Sequence, residues 1–229
     1  MILLNQVNKT YHPRGNAAVA AVKDVNLQVE SGEFVVITGR SGSGKTTLLN
    51  LVAGLAQPSS GQVRFDGVDV WSLSDRAQAF LRNQRMGFVF QFPSLLQSLT
   101  ALENVLLPAM FAGRDGKKPL RERAVQLLEE VGLADKLSFY PRQLSAGQQQ
   151  RVVVARSLVN QPELLLADEP TSNLDEQSEG EIINLIQDIH TRSGVTVLLV
   201  THAGNLVTHG SRHVKMVSGS IASDNGTQE

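Results

Sequence analysis

The stretch that most constrains this chain is Gly39-Arg40-Ser41-Gly42-Ser43-Gly44-Lys45-Thr46, continued by Thr47. A near-continuous apolar run, Glu33 to Thr38, precedes it, and a helix-like stretch from Lys45 to about Ala56 follows. Such a run reads as a strand buried in the middle of a sheet. Strand, glycine loop and helix in this register make a phosphate site. The glycines let backbone N–H groups curl around phosphate oxygens without a side chain in the way, and the helix adds the positive end of its dipole. Lys45 is placed to bridge β- and γ-phosphates, and the Thr46 hydroxyl to ligate Mg²⁺. The loop implies a nucleotide and leaves its use open.

A second apolar strand, Leu164-Leu165-Leu166-Ala167, ends in Asp168-Glu169. In an open α/β sheet, ligands gather at the carboxyl ends of the strands, so the two acids are expected to face the nucleotide. Asp168 suits Mg²⁺ held through its water shell. Glu169 is able to polarise a water attacking the γ-phosphate. The competing reading makes the acids a cap for the next helix, a role on which Asp175 has its own claim.

Around these motifs, Ile2 to Lys9 and Val19 to Val29 read as strands joined by a turn at Pro13-Arg14-Gly15-Asn16, and Val195 to Val200 reads as a late strand. Ile182, Ile183, Ile186 and Ile189 give the stretch from Glu176 to Thr191 a helical spacing. Helical patterns fill Leu102 to Phe111, Leu120 to Val131 and Gln148 to Leu158. Strands at both ends with helices between predict an α/β core carrying an inserted helical subdomain. The polar tail Ser223 to Glu229 is expected to fray. A chain of 229 residues, 41% hydrophobic, has material for one sizeable core. Its 21 basic against 22 acidic residues give the whole no electrostatic footprint for nucleic acid, although a total does not exclude a local patch. The absence of cysteine removes disulfides, thiolate chemistry and cysteine-ligated zinc. Met1 to Val7 is too short for a signal peptide. No run of about 18 apolar residues predicts a membrane span, so a membrane role has to come through a partner.

Leu144-Ser145-Ala146-Gly147-Gln148-Gln149-Gln150-Arg151, just upstream of the acidic strand, resembles the Leu-Ser-Gly-Gly-Gln signature of the ATP-binding cassette (ABC) family. The family's other motifs occur in order, over Leu3 to about Ile221. Tyr11 matches the aromatic residue that stacks on adenine. Gln91, after the strand Gly87-Phe88-Val89-Phe90, matches the lone glutamine that approaches nucleotide and metal. Ser172-Asn173-Leu174-Asp175 matches the segment joining two active sites, and His202 the switch histidine. Without the resemblance, Tyr11 would be taken for a core residue and His202 for a structural one. The resemblance implies a P-loop NTPase (RecA-like) core over 1–91 and 159–229, with an N-terminal antiparallel β-subdomain and an inserted α-helical signature subdomain over 92–158. It implies ATP and Mg²⁺ as ligands. It also implies a head-to-tail homodimer formed on ATP binding, in which the signature of one subunit meets the γ-phosphate held by the other. A separate membrane permease would be the partner, with the chain peripheral at the cytoplasmic face of the inner membrane and no nucleic acid bound. A Gly-Gln turn into a helix from Gln148 would present bare N–H groups, with Ser145 adding a hydroxyl donor. Two departures stand out. Ala146 replaces the first signature glycine, so that a methyl group crowds the phosphate or resists a positive φ, and Ala203 stands where Asp usually follows the histidine.

Gln91 to Val105, running on to Gly113, resembles the lipoprotein-release and macrolide-exporter branch. In the family a coupling helix of the membrane subunit docks here, and Phe92, Leu95, Leu96 and their neighbours suit a receiving groove. The alternative is that they pack the subdomain core. The basic run Arg114, Lys117, Lys118, Arg121 and Arg123 reads as a solvated face, with a lipid-headgroup contact as the other reading. Two further functions compete. One is a division-type cassette that transmits force to a periplasmic partner. The other is a soluble ABC ATPase of DNA repair or translation, although this chain lacks the coiled-coil insertion, zinc insertion or second cassette usual there.

Overall fold

The computed structural model describes residues 1–12, 14–15, 17–111 and 117–226, without the side chains of 117, 118, 204, 205 and 207. Pro13 and Asn16 of the expected turn, Arg114, the side chains of Lys117 and Lys118, and the last three residues of the tail lie outside the description. Along the chain, β1 (Ile2–Tyr11), β2 (Val19–Val29) and β3 (Phe34–Thr38) lead into α1 (Lys45–Val52). Next come β4 (Ser60–Phe65), β5 (Val68–Asp69), α2 (Asp75–Arg85) and β6 (Met86–Val89). Helices α3 (Ala101–Met110), α4 (Lys117–Glu130) and α5 (Ala146–Leu158) precede β7 (Leu164–Asp168) and α6 (Glu176–Ser193). The chain closes with β8 (Thr196–Thr201), β9 (Arg212–Val217) and β10 (Ser220–Asp224). These elements form two compact units, Met1–Ala79 with Thr196–Glu229, and Phe80–Val195.

In the first unit an antiparallel sheet of order β2-β1-β4-β5 rests on alternation. Ile2, Leu4 and Val7 of β1 and Val22, Val25, Leu27 and Val29 of β2 are buried, which gives each strand one dry face. β3 is buried along its whole length and runs parallel to both β8 and β9, Phe34 opposite Val197 and Val35 opposite Arg212. α1 ends at Val52, short of the expected Ala56, and Gly54 follows in a left-handed conformation, φ 63°. In the second unit β6 and β7 pair parallel, Met86 opposite Leu164. The four isoleucines of α6 are buried as their spacing predicts.

The tail departs from expectation. Ser223 and Asp224 belong to β10, which pairs antiparallel with β9. Arg212, only 7% exposed, donates to the Asp224 carboxylate at 2.6 and 2.8 Å, to the Gln28 carbonyl at 2.7 Å and to Glu33 at 3.2 Å. The bonds from Arg212 hold the Asp224 carboxyl below its ordinary pKa. A carboxyl depressed on folding stabilises the protein above its unfolded pKa, about 3.9, and that contribution is lost as pH falls through the lower folded value. Asp224→Asn is therefore expected to cost about 2 kcal/mol at pH 7 in urea unfolding. The gap from the parent should close as the pH drops below about 4.

Candidate nucleotide site

The glycine loop is built by close approaches. A Cβ at Gly39 would lie 2.5 Å from the Met216 carbonyl oxygen, and one at Gly44 would lie 2.3 Å from that of Ala21. Gly44 also has φ 101° and is the N-cap of α1, where it offers no side chain to the first amides of the helix. The first turn of a helix directs its backbone N–H groups toward the N-terminus, where they have no intrahelical acceptor to compete with a ligand. Lys45 is 5% exposed, and its ammonium donates to the Gly39 carbonyl at 2.8 Å and the Arg40 carbonyl at 3.4 Å. The Ser43 hydroxyl is buried with no hydrogen-bond partner, and its backbone N–H donates to the Arg40 carbonyl at 3.0 Å. An orphaned hydroxyl, a helix N-terminus and a buried ammonium form a donor-rich cradle, which fits phosphate oxygens. Arg40, Ser41, Gly42 and Thr46 are exposed, and Thr47 is half-buried.

In the same unit, Tyr11 ends β1 and is 41% exposed, which removes the reading of it as a core residue. The Lys9 ammonium stands 4.9 Å from the centroid of its ring, a cation–π distance. His202 is exposed directly after β8. At Ala203 the backbone N–H donates to the Thr201 hydroxyl at 3.0 Å, so the turn closes without a carboxylate there.

In the second unit, Asp168 is the last residue of β7 and Glu169 the first beyond it, both half-buried. Glu169 has φ 48°, a left-handed conformation uncommon outside glycine. The segment Ser172-Asn173-Leu174-Asp175 folds back as a turn, the Ser172 amide donating to the Glu169 carbonyl at 3.2 Å. Asp175 is the N-cap of α6, accepting from the Ser178 backbone N–H and hydroxyl at 2.9 Å each. Those bonds, the backbone one first, lower its pKa. The helix cap is thus Asp175, and the reading of Asp168 and Glu169 as caps falls. Gln91 lies exposed beyond the end of β6. Its carbonyl accepts from the Asn173 side-chain amide at 3.1 Å.

The signature forms a capping box. Ser145 is the N-cap of α5, its hydroxyl accepting from the Gln148 N–H at 3.2 Å while the Gln148 side chain accepts from the Ser145 N–H at 3.0 Å. The helix therefore begins at Ala146 rather than Gln148, and the amide of Gln148 is committed to the cap. The open donors are the amides of Ala146 and Gly147, beside the Ser145 hydroxyl's own hydrogen. Ala146 is an exposed residue of the first helical turn and is not in the left-handed region, so a resisted positive φ is no cost here. Leu144 is buried beneath.

The segment after Gln91 divides between packing and exposure. Leu95, Leu102, Val105 and Ala109 are buried, whereas Phe92 (63%), Leu96 (47%), Met110 (75%) and Phe111 (76%) are exposed. No helix among the described residues is long and apolar enough to cross a membrane. Nor do the described residues gather three or more His, Cys, Asp or Glu able to hold a metal ion.

Residues 22–172 match the ABC transporter family. The chain is 46% identical to the lipoprotein-releasing system ATP-binding protein LolD of Geobacter metallireducens, over 92% of this chain and 93% of that one. It is 44% identical to the macrolide export ATP-binding/permease protein MacB of Syntrophobacter fumaroxidans, over 99% of this chain but 32% of the relative. The ATP-binding cassette MJ0796, solved as a post-hydrolysis dimer bound to ADP and Pi, superposes with a TM-score of 0.90 at 39% identity, with 98% of each chain covered. Phosphate cradle, signature cap, α/β fold with its antiparallel sheet and helical insert, and these likenesses converge: the chain belongs to the ABC transporter family, as an ATP-binding cassette that hydrolyses ATP.

Proposed function

We propose that two copies of this chain close head to tail on two ATP molecules and so drive a separate membrane permease. That complex would release or export a hydrophobic or amphipathic substrate, lipoproteins included, and the chain would lie at the cytoplasmic face of the inner membrane. The relatives named for lipoprotein release and macrolide export support this reading. The observation that carries it is the set of large apolar side chains left exposed close in sequence to Gln91: Phe92, Leu96, Met110 and Phe111. Exposed apolar surface of this kind marks an interaction site.

In the catalytic cycle Lys45 exchanges the Gly39 and Arg40 carbonyls for the β- and γ-phosphate oxygens, and Ser43 gains the acceptor its hydroxyl lacks. Tyr11 stacks on the adenine. Mg²⁺, for which Thr46, Gln91 and Asp168 offer hard oxygen ligands, would neutralise charge on the phosphates. Glu169 orients a water and takes its proton as the water oxygen attacks the γ-phosphorus and the bond to the β-phosphate oxygen breaks. His202 contacts the γ-phosphate. Leu144, Ser145, Ala146, Gly147 and Gln148 of the second copy close over that phosphate, with donors from Ser145 and the amides of Ala146 and Gly147.

Leu96→Asp tests the docking surface. With 47% of the residue exposed, the variant is expected to keep its melting temperature and to lose copurification with the permease. Leu95 is 8% exposed, and an aspartate there would unfold the unit, so it serves as the contrast. A folded Leu96→Asp chain that still copurifies with the permease places the docking surface elsewhere.

A further inference from the structure

β6 ends at Val89, and beyond it the backbone is held by side chains from elsewhere in the same unit. The Phe90 carbonyl accepts from the Gln150 side-chain amide at 3.1 Å, and the Gln91 carbonyl from that of Asn173 at 3.1 Å. The Pro93 and Ser94 carbonyls accept from the two terminal nitrogens of Arg156 at 3.1 and 2.9 Å. Gln150 and Arg156 both belong to α5, the helix that opens with the signature. Asn173 belongs to the turn between Glu169 and the cap of α6.

These grips differ in strength. Gln150 is 2% exposed, so breaking its bond leaves a buried amide unpaired. Arg156 is half-buried, charged and holds two carbonyls at once, and charge-assisted bonds are roughly twice as strong as neutral ones. Asn173 is exposed, neutral and single. Losing such a bond shifts an equilibrium by no more than about tenfold. Residues 90, 93 and 94 are therefore fixed to α5, and the tie at Gln91 is the one that opens first.

We infer that Asn173 is a positioning residue, a latch between the turn after Glu169 and the main chain of Gln91 that makes the conformation of one set that of the other within a single chain. The inference rests on the roles proposed above for Gln91 and for the Ser172–Asp175 segment. A displacement of that segment by a second copy then reaches Gln91 without passing through α5.

The test uses the purified full chain, with steady-state ATPase kinetics, fluorescent-ATP binding and melting temperature as readouts. Asn173→Asp keeps the shape and removes the donor, whereas Asn173→Gln keeps an amide. Asn173→Asp is expected to lower kcat by about three- to tenfold, with KM for ATP, nucleotide affinity and melting temperature unchanged. Asn173→Gln should recover at least about half of the lost rate, since the amide donor is what the latch needs. In a Gln91→Ala background, Asn173→Asp should change kcat less than about twofold, because the side chain it positions is gone. The latch is overturned by wild-type kcat in Asn173→Asp, by equal loss in the Asp and Gln variants with a lowered melting temperature, or by additive effects with Gln91→Ala. If Gln91→Ala itself turns over at the wild-type rate, the role proposed for Gln91 fails and takes the latch with it. A slow Gln91→Ala beside a wild-type Asn173→Asp removes the latch alone.

Discussion

Replacing Glu169 with Gln is expected to lower ATP turnover by about 10²–10⁴-fold while leaving ATP binding intact, the usual worth of a positioned proton acceptor. The substitution keeps the size of the side chain. It keeps as well the left-handed backbone at the end of β7, which glutamine tolerates no worse than glutamate. What changes is the ability to take a proton from water. The variant should therefore close on ATP and fail to reopen, accumulating as an ATP-bound dimer in size-exclusion chromatography. Turnover near the parent rate would move the proton acceptor to another residue, while the phosphate cradle would keep its assignment.

Lys45→Ala is expected to abolish turnover and to weaken ATP binding by roughly 10–100-fold, the equivalent of one charge-assisted contact of about 1.5–3 kcal/mol. Two losses combine in this variant. The phosphates lose their buried cation, and the Gly39 and Arg40 carbonyls lose the donor that occupies them at rest. The second loss concerns the nucleotide-free protein, so it shows as a lower melting temperature without ATP, whereas the first shows only in a titration with a fluorescent nucleotide. An unchanged dissociation constant together with unchanged turnover is the result that removes Lys45 from the site.

Much of this architecture is legible in the sequence where one physical cause dominates. β2 spans Val19 to Val29 as read, and β3, β7, β8 and α6 fall within a residue or two of their apolar runs, because burial of a continuous or periodic apolar face decides each. Where burial is not the cause, the reading fails. α2 has Gln78 as its buried residue and announces no apolar stripe. β9 carries Arg212 as a buried residue, so a charged position that reads as surface is in fact the pin of the tail, and β10 follows from it. The start of α5 was readable from Ser145 and Gln148 three residues apart, but Gly147 between them suggests a turn that the capping box overrides. Within the site, glycine loop, acids and histidine stand out by residue type. Asn173 and Gln150 fall inside recognised motifs, yet their bonds and those of Arg156 are not legible, because the acceptors are main-chain carbonyls, which leave no mark on the sequence.

The resting position of Lys45 bears on how a cycle resets. A buried ammonium that loses its acceptors is costly, and a site that met that cost each time it emptied would cling to ADP. Here the Gly39 and Arg40 carbonyls accept from the ammonium, and with Lys45 in its proposed role the loop itself would replace the departing products. In that role ATP would displace these carbonyls on binding, which tempers its affinity, and the same competition would let the spent nucleotide leave. The loop thus favours throughput over retention, the balance required of a motor that discharges its fuel on every stroke.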